Sequence, residues 1–328
     1  MSSRPSAVTI VVVLAALLVP RVFSSSYLLG VAHLALVYAV LTQGFNFTQG
    51  FVGRTSLGHV GFWAIGAYAT ALLTTNGVPP LAALVVGVVV ASLVAAALAR
   101  LTNHMHAFYL ALATLGFGQI VQIVAKNWTG LTQGSNGIVG IPAFGIGPVE
   151  FASRTSQYYL LLAVVLVGAW LTHRFASSKL GREAFALRQS EVATESLGIR
   201  TERLKSVTLV LSAGYAAVAG SLYAHTFLFI SPDVFSFAAM LLILAMLVVG
   251  GQQTVWGPVV GAVLVTVLPE LLRVSDRYYM LIYGIVLYAV MVRMPGGIAG
   301  AVSSLRQRLA RSPDPSLPSE QPHEVVQR

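Results

Sequence analysis

The chain has 328 residues, of which 56% are hydrophobic and only 9% charged, and its mean hydropathy is +0.78. Soluble domains carry about 25% charged residues, so eleven acidic and twenty basic side chains cannot cover a water-soluble surface of this size, and the composition excludes such a fold. The net charge of +9 does not mark a nucleic-acid binder, because the basic residues lie between and beyond apolar runs rather than in one patch, and the lack of Cys removes disulfide and thiolate chemistry.

In chain order, residues 1–24 carry Arg4, an apolar run from Ala7 to Val19 and then Pro20. This resembles a signal peptide, but ahead of so many later spans it reads as a first transmembrane helix. Ten helices are expected, over 7–20, 27–47, 57–74, 81–99, 107–125, 157–173, 206–228, 235–251, 257–272 and 278–294. Each is rich in Leu, Val and Ala without the period-2 alternation of a barrel strand, so helices must satisfy the backbone in lipid. The fold class is therefore an all-α integral membrane bundle.

Basic residues set its orientation. With the N-terminus inside, the inner face holds Arg4, Arg54, Arg100, seven Lys or Arg from Arg174 to Lys205, then Arg293, Arg306, Arg308, Arg311 and Arg328. The outer face holds only Arg21, Lys126, Arg154, Arg273 and Arg277. Both termini are expected to be cytoplasmic. The chain then divides into a first helix (1–26), a core (27–295) that includes an inner loop (174–205), and a proline-bearing tail (296–328) of disordered composition.

Two stretches stand out from the apolar background. In 50–66, Gly50, Gly53, Gly58, Gly61 and Gly66 alternate with the polar Arg54, Thr55, Ser56 and His59. Interrupted helices of this composition line substrate paths, and the same small residues also permit close helix packing; both readings stand. Gly53, Thr55, Ser56, Gly58, His59 and Gly61 are the candidate path residues. A shorter segment, GGQQTVWGPVVG from Gly250 to Gly261, has a similar make-up and enters its helix from the same side.

The second stretch is 181–198, GREAFALRQSEVATESLG. Arg182, Glu183, Arg188, Glu191 and Glu195 sit at helical spacings, Ala184, Leu187, Val192 and Leu197 supply apolar faces, and Gly198 is a helix stop. Such a helix could rest on the lipid interface or dock a protein partner; its mixed charge suits a partner better.

Chemistry-bearing motifs are missing. There is no GxxxxGK[ST], GxSxG, HExxH or CxxC, so the chain is expected to be no enzyme, to hold no cofactor and to leave any ATP hydrolysis to another polypeptide. His104-Met105-His106 offers two metal ligands, too few to close a site. Glu270, with Arg273 three residues on, reads as a pair at the headgroups, and His33 and His225 as satisfied core groups.

Several stretches together resemble a known family. GFNFTQGFVGRTSLGHVGFWAIGAYATAL, TLGFGQI, GSNGIVGIP, the 181–198 loop, AGYAAVAGSLYAH, SPDVFSF, WGPVVGA and LPELLR follow the order and spacing of LivM-type permease subunits of branched-chain amino-acid ABC importers, over roughly residues 28–295. The resemblance implies half of a translocation path in the inner membrane, paired with a LivH-type sister permease. It also implies two cytoplasmic ATP-binding subunits and an extracytoplasmic substrate-binding protein. It assigns the 181–198 loop to ATPase coupling, although Glu191, Ala193 and Gly198 only approximate the usual E-A-A-x3-G, with Val192 for Ala and one extra residue. A self-sufficient secondary carrier is the alternative, and would want acidic groups near the midplane.

Overall fold

The computed structural model describes residues 17, 18, 20, 25–147, 149–272, 284, 285, 288, 289, 292, 293 and 296–300. The expected first and tenth spans and the tail fall largely outside the described residues, as does Arg273. Helices occupy all eight spans expected in between. They are α1 (Ser26–Phe45), α2 (His59–Thr75), α3 (Pro80–Thr102), α4 (Ala107–Asn127), α5 (Arg154–Ser177), α8 (Thr201–Phe227), α9 (Phe237–Gly250) and α10 (Gly257–Leu272); the short α6 (Lys179–Gln189) and α7 (Glu191–Ser196) fall in the inner loop. Among the described residues, five helical stretches are long and apolar enough to cross a membrane: 26–52, 80–102, 107–127, 154–177 and 201–227.

The core gathers around α8, which packs on α1, α2 and α3. Its stripe of Ala213, Ala216, Ala217, Ala219, Gly220 and Ala224 has almost no side-chain bulk, so backbones can approach closely where dispersion, not the hydrophobic effect, holds helices together. A methyl group built on Gly66 of α2 would lie 2.3 Å from the Ala217 Cα, and one on Gly220 would lie 2.3 Å from the Trp63 carbonyl oxygen. By contrast α3 and α4 are peripheral: only 22% and 17% of their apolar windows are buried, against 67% for the stretch containing α1. Leu93 and Leu101 of α3 and Leu112 and Ile120 of α4 are exposed.

The connections sort into two ends of the bundle. At one end Tyr27 donates to Glu270 (2.6 Å), Lys126 pairs with Asp233 (3.3 Å), and the Arg154 carbonyl accepts from His33 (2.9 Å). A tyrosine of α1 is thus one partner of Glu270. The connection over residues 127–156 contributes to two short antiparallel pairs, β1 (Ile138–Val139) with β4 (Phe229–Ile230) and β2 (Gly145–Ile146) with β3 (Val149–Glu150). His225 donates through Nδ1 to the Pro142 carbonyl at 2.7 Å. The other end carries residues 46–58, 100–106, 174–205 and 250–256, and there the polar interactions concentrate.

A broken helix held by the basic loop

The helix that begins as α1 does not stop at Phe45 but widens into a π-helical turn over Asn46–Val52. Such widenings are rare and concentrate at functional sites, and here a tertiary contact stabilises one. The Asn46 side chain leaves its own helix to accept from the Gln253 N–H (3.1 Å) and donate to the Thr254 carbonyl (2.9 Å). Gly50 makes this possible. A methyl at that position would fall 1.8 Å from Asn46 Oδ1, so any other residue expels the amide.

Gly53 then ends the turn in the left-handed conformation, φ 75°, which only glycine adopts at low cost. Residues 53–58 are irregular until α2 begins at His59. The segment is therefore a broken helix. The second glycine-rich segment breaks the chain likewise, with Gly251 at φ 114° between α9 and α10, and the Asn46 bonds join the two breaks face to face.

What holds the carbonyl end of the π-turn is Arg188. Its Nη1 donates to the Gln49 carbonyl (2.7 Å) and to the Gly50 carbonyl, while Nη2 donates to Gln252 Oε1 (2.9 Å). A guanidinium on unpaired C-terminal carbonyls is favoured by the helix dipole, and its planar fork serves three acceptors where a lysine could not. Burial lowers the Arg188 pKa from its usual value, which still leaves the group charged at any physiological pH. The Gly53 hydrogen faces the Arg188 stem, since a methyl there would be 2.9 Å from Cγ.

The loop that carries Arg188 is not the single helix expected over 181–198. It divides at Ser190, whose backbone is extended and whose Oγ accepts from the Ala193 N–H at 3.2 Å, capping α7. A serine followed by Glu191 in the first turn is a helix-start signal, and it lay in the sequence unread. Ser178 caps α6 through the Gly181 N–H in the same way (3.2 Å), and Gly198 ends α7 at φ 76°.

The charged residues of this loop mostly serve its own chain. Glu191 pairs with the buried Lys205, which also donates to the Asn103 carbonyl (3.3 Å). Glu195 accepts from Thr201 Oγ1 (2.6 Å), Arg182 donates to the Ser177 carbonyl (3.1 Å), and Glu183 faces Lys179 (3.7 Å). Ala184 and Leu187 are buried with Phe47, Phe51 and Phe175 in a small second core. That leaves Val192 and Leu197, each 76% exposed, as the outward apolar surface.

The candidate path residues separate into two groups. Gly58 and Gly61 pack on α4, where added methyls would meet the Thr114 carbonyl at 2.6 Å and Phe117 Cε1 at 2.8 Å. His59 is buried and has both ring nitrogens occupied, Nε2 donating to the Leu41 carbonyl (2.9 Å) and Nδ1 accepting from Ser212 (3.0 Å). These three hold helices together. Gly53, Thr55 and Ser56 lie in the break itself. Ser56 is buried with an unpartnered hydroxyl, beside a cavity of about 20 Å³ lined also by Arg54 and Lys205, room for one water. Sequence reasoning missed Asn46, Gln252 and Lys205; an amide inside an apolar span was the available signal for the first.

A predominantly helical, multi-pass membrane protein with two interrupted hairpins locked together at one end has the build of a permease. Residues 27–291 match the model of the family described as branched-chain amino acid transport system / permease component, and the chain belongs to that family. It is 33% identical over 293 residues to the high-affinity branched-chain amino acid transport system permease protein LivM of Escherichia coli K12, covering 82% of this chain and 69% of that protein. To LivM of Salmonella typhimurium it is 32% identical over 292 residues, with the same coverage. To the permease protein LivH of Salmonella typhimurium it is 25% identical over 285 residues, 81% of this chain and 92% of that one. The chain is thus a multi-pass transport component of the inner membrane.

Proposed function

We propose that this chain forms the LivM-type half of the translocation path of an ATP-driven importer for branched-chain or related amino acids. The family match over 27–291 carries the reading, together with a likeness to LivM that exceeds the likeness to LivH. Family membership favours it over a self-sufficient carrier. So does the placement of the acidic residues, which among those described lie in loops or near helix ends. The partners are a LivH-type sister permease, two cytoplasmic ATP-binding subunits and an extracytoplasmic binding protein. Reconstituted with them in proteoliposomes, the chain should support ATP-dependent uptake of radiolabelled leucine, isoleucine or valine. Uptake without the ATP-binding subunits, driven by an ion gradient, would overturn the assignment.

The bundle has about ten transmembrane helices with both termini cytoplasmic, which puts the Arg188 end inside. Among the described residues, connections assigned to one face bond within that face, which supports the alternation of the spans, and the excess of basic residues at the Arg188 end supports the orientation. Ser196→Cys should react with an impermeant maleimide only after permeabilisation, whereas Glu150→Cys should react in right-side-out spheroplasts. The absence of native Cys keeps the background clean. The reverse pattern would invert the topology.

In this frame Val192 and Leu197 present the docking surface for an ATP-binding subunit, while Arg182, Glu183, Glu191, Glu195 and Gly198 shape the loop. Closure of the ATP-binding pair would displace α6 and α7, and Arg188 would carry that displacement to the π-turn and to the loop before α10. The path residues Gly53, Thr55 and Ser56 then move with the break they occupy.

A further inference from the structure

A separate groove of about 350 Å³ opens between the end of α3 and the start of α8, lined by Arg100, Asn103, His104, Glu202, Arg203 and Ser206. Its floor is fixed. Asn103 donates to Ser206 Oγ (2.8 Å) and to the Glu202 carbonyl (3.2 Å), and from below Lys205 donates to the Asn103 carbonyl and Arg54 to the Thr102 carbonyl (3.0 Å). Its walls are not committed. Arg100 and Arg203 are exposed, and among the described residues neither has a hydrogen bond or an ion pair. Two free guanidinium groups and His104 thus face one cleft, against the single carboxylate of Glu202.

The depth of the groove points to its occupant. Arg100 ends a helix whose outer face is apolar and open, Leu93 and Leu101 each being 66% exposed. On the other side α4 starts with exposed Phe108 and Tyr109, stacked edge-on at 5.8 Å. Aromatic pairs and arginines just past an apolar face mark headgroup level, and basic pockets between helices at that level bind anionic headgroups. Guanidinium groups are also the preferred partners of phosphate oxygens. We infer that the groove binds the phosphodiester headgroup of an anionic phospholipid, with Arg100 and Arg203 on the phosphate and the acyl chains along α3 and α4. The site requires only membrane-surface depth and does not rest on the importer reading.

The test is native mass spectrometry of the full chain, delipidated in detergent and titrated with phosphatidylglycerol, phosphatidylcholine or inorganic phosphate. The wild type should retain phosphatidylglycerol over phosphatidylcholine. Arg100→Gln and Arg203→Gln should each weaken retention about fivefold, the usual value of one juxtamembrane cation, and the double variant should lose the preference. Unchanged thermal melting in detergent, and recovery of most affinity in the Arg100→Lys, Arg203→Lys variant, would show that charge and not folding is responsible. Equal retention by wild type and the double Gln variant would overturn the proposal. So would inorganic phosphate binding as tightly as the lipid, which would make the ligand a soluble anion. Loss of the ATP-binding subunits from the double variant with lipid retention intact would also overturn it, assigning the groove to a protein contact.

Discussion

Replacing Arg188 by Gln is expected to leave the transporter assembled while lowering substrate uptake about 5- to 150-fold, the range that coupling free energies of about 1–3 kcal/mol produce. The reason is geometric. Arg188 points inward, its guanidinium shared by the Gln49 and Gly50 carbonyls and Gln252, so its loss detaches α6 from the break without altering the exposed face of α7. Charge-assisted bonds of this kind contribute about 1.5–3 kcal/mol each, and neither Gln nor Lys reaches all three acceptors. ATP hydrolysis should persist but no longer respond to the loaded binding protein. Val192→Asp with Leu197→Asp should do the opposite: those side chains face outward, and their change should remove the ATP-binding subunits from the purified complex. Co-purification and substrate-stimulated hydrolysis, measured on both variants, separate the two effects. Loss of the subunits from Arg188→Gln would mean that Arg188 contributes to docking itself; normal stimulated uptake would end its role as a link.

The glycines should divide just as sharply. Gly66→Val and Gly220→Val drive side chains into backbone atoms of a neighbouring helix at 2.3 Å, where no rotamer change brings relief. Overpacking ordinarily costs about 1–3 kcal/mol and more when backbone must move, and membrane abundance should fall to background. Gly50→Ala meets the Asn46 amide at 1.8 Å and, less closely, the Gln253 backbone nitrogen at 3.1 Å, the two groups that bond to each other. It should spare the α2–α8 contact and preserve abundance, yet release the Asn46 bonds to residues 253 and 254 and abolish most uptake. Gly116→Ala, with open space around it, is the control. Quantitative immunoblots of membranes beside uptake rates decide the matter. Should Gly50→Ala transport normally, the π-turn has no part in translocation.

These contrasts show which parts of the molecule were legible in the sequence. Apolar runs locate helices because the bilayer leaves the backbone no alternative, and a helix occupies each of the eight stretches between 27 and 272 where hydropathy places one. The family resemblance was equally legible, in motifs such as GFNFTQGFVGRTSLGH. The glycine-rich stretch announced that it was unusual but not how. Packing and interruption use the same residue, and only the neighbours, Thr114 for Gly58 or the Asn46 amide for Gly50, tell the two apart. The inner loop was legible as a location and misread as one helix, because its charges suggested a continuous amphipathic face while Ser190 was already a cap. The partner of Arg188 was not legible at all. Its carbonyl acceptors lie 138 and 139 positions away, and backbone carbonyls carry no residue signature.

That separation also has a consequence for how the protein is made. The break after α1 owes its hydrogen bonds to three parts of the chain: its own residues 46–53, Arg188, and residues 252–254. Ribosomes deliver these in order, at about 5–20 residues per second, so the first hairpin enters the bilayer roughly ten seconds or more before its last partner exists. Until Arg188 is made the Gln49 and Gly50 carbonyls, and until residues 253 and 254 are made the Asn46 amide, must be served by water, lipid headgroups or the insertion machinery. Arrival of Gln252, Gln253 and Thr254 closes the last of these bonds, so the break reaches its full complement only once the second glycine-rich segment has been made.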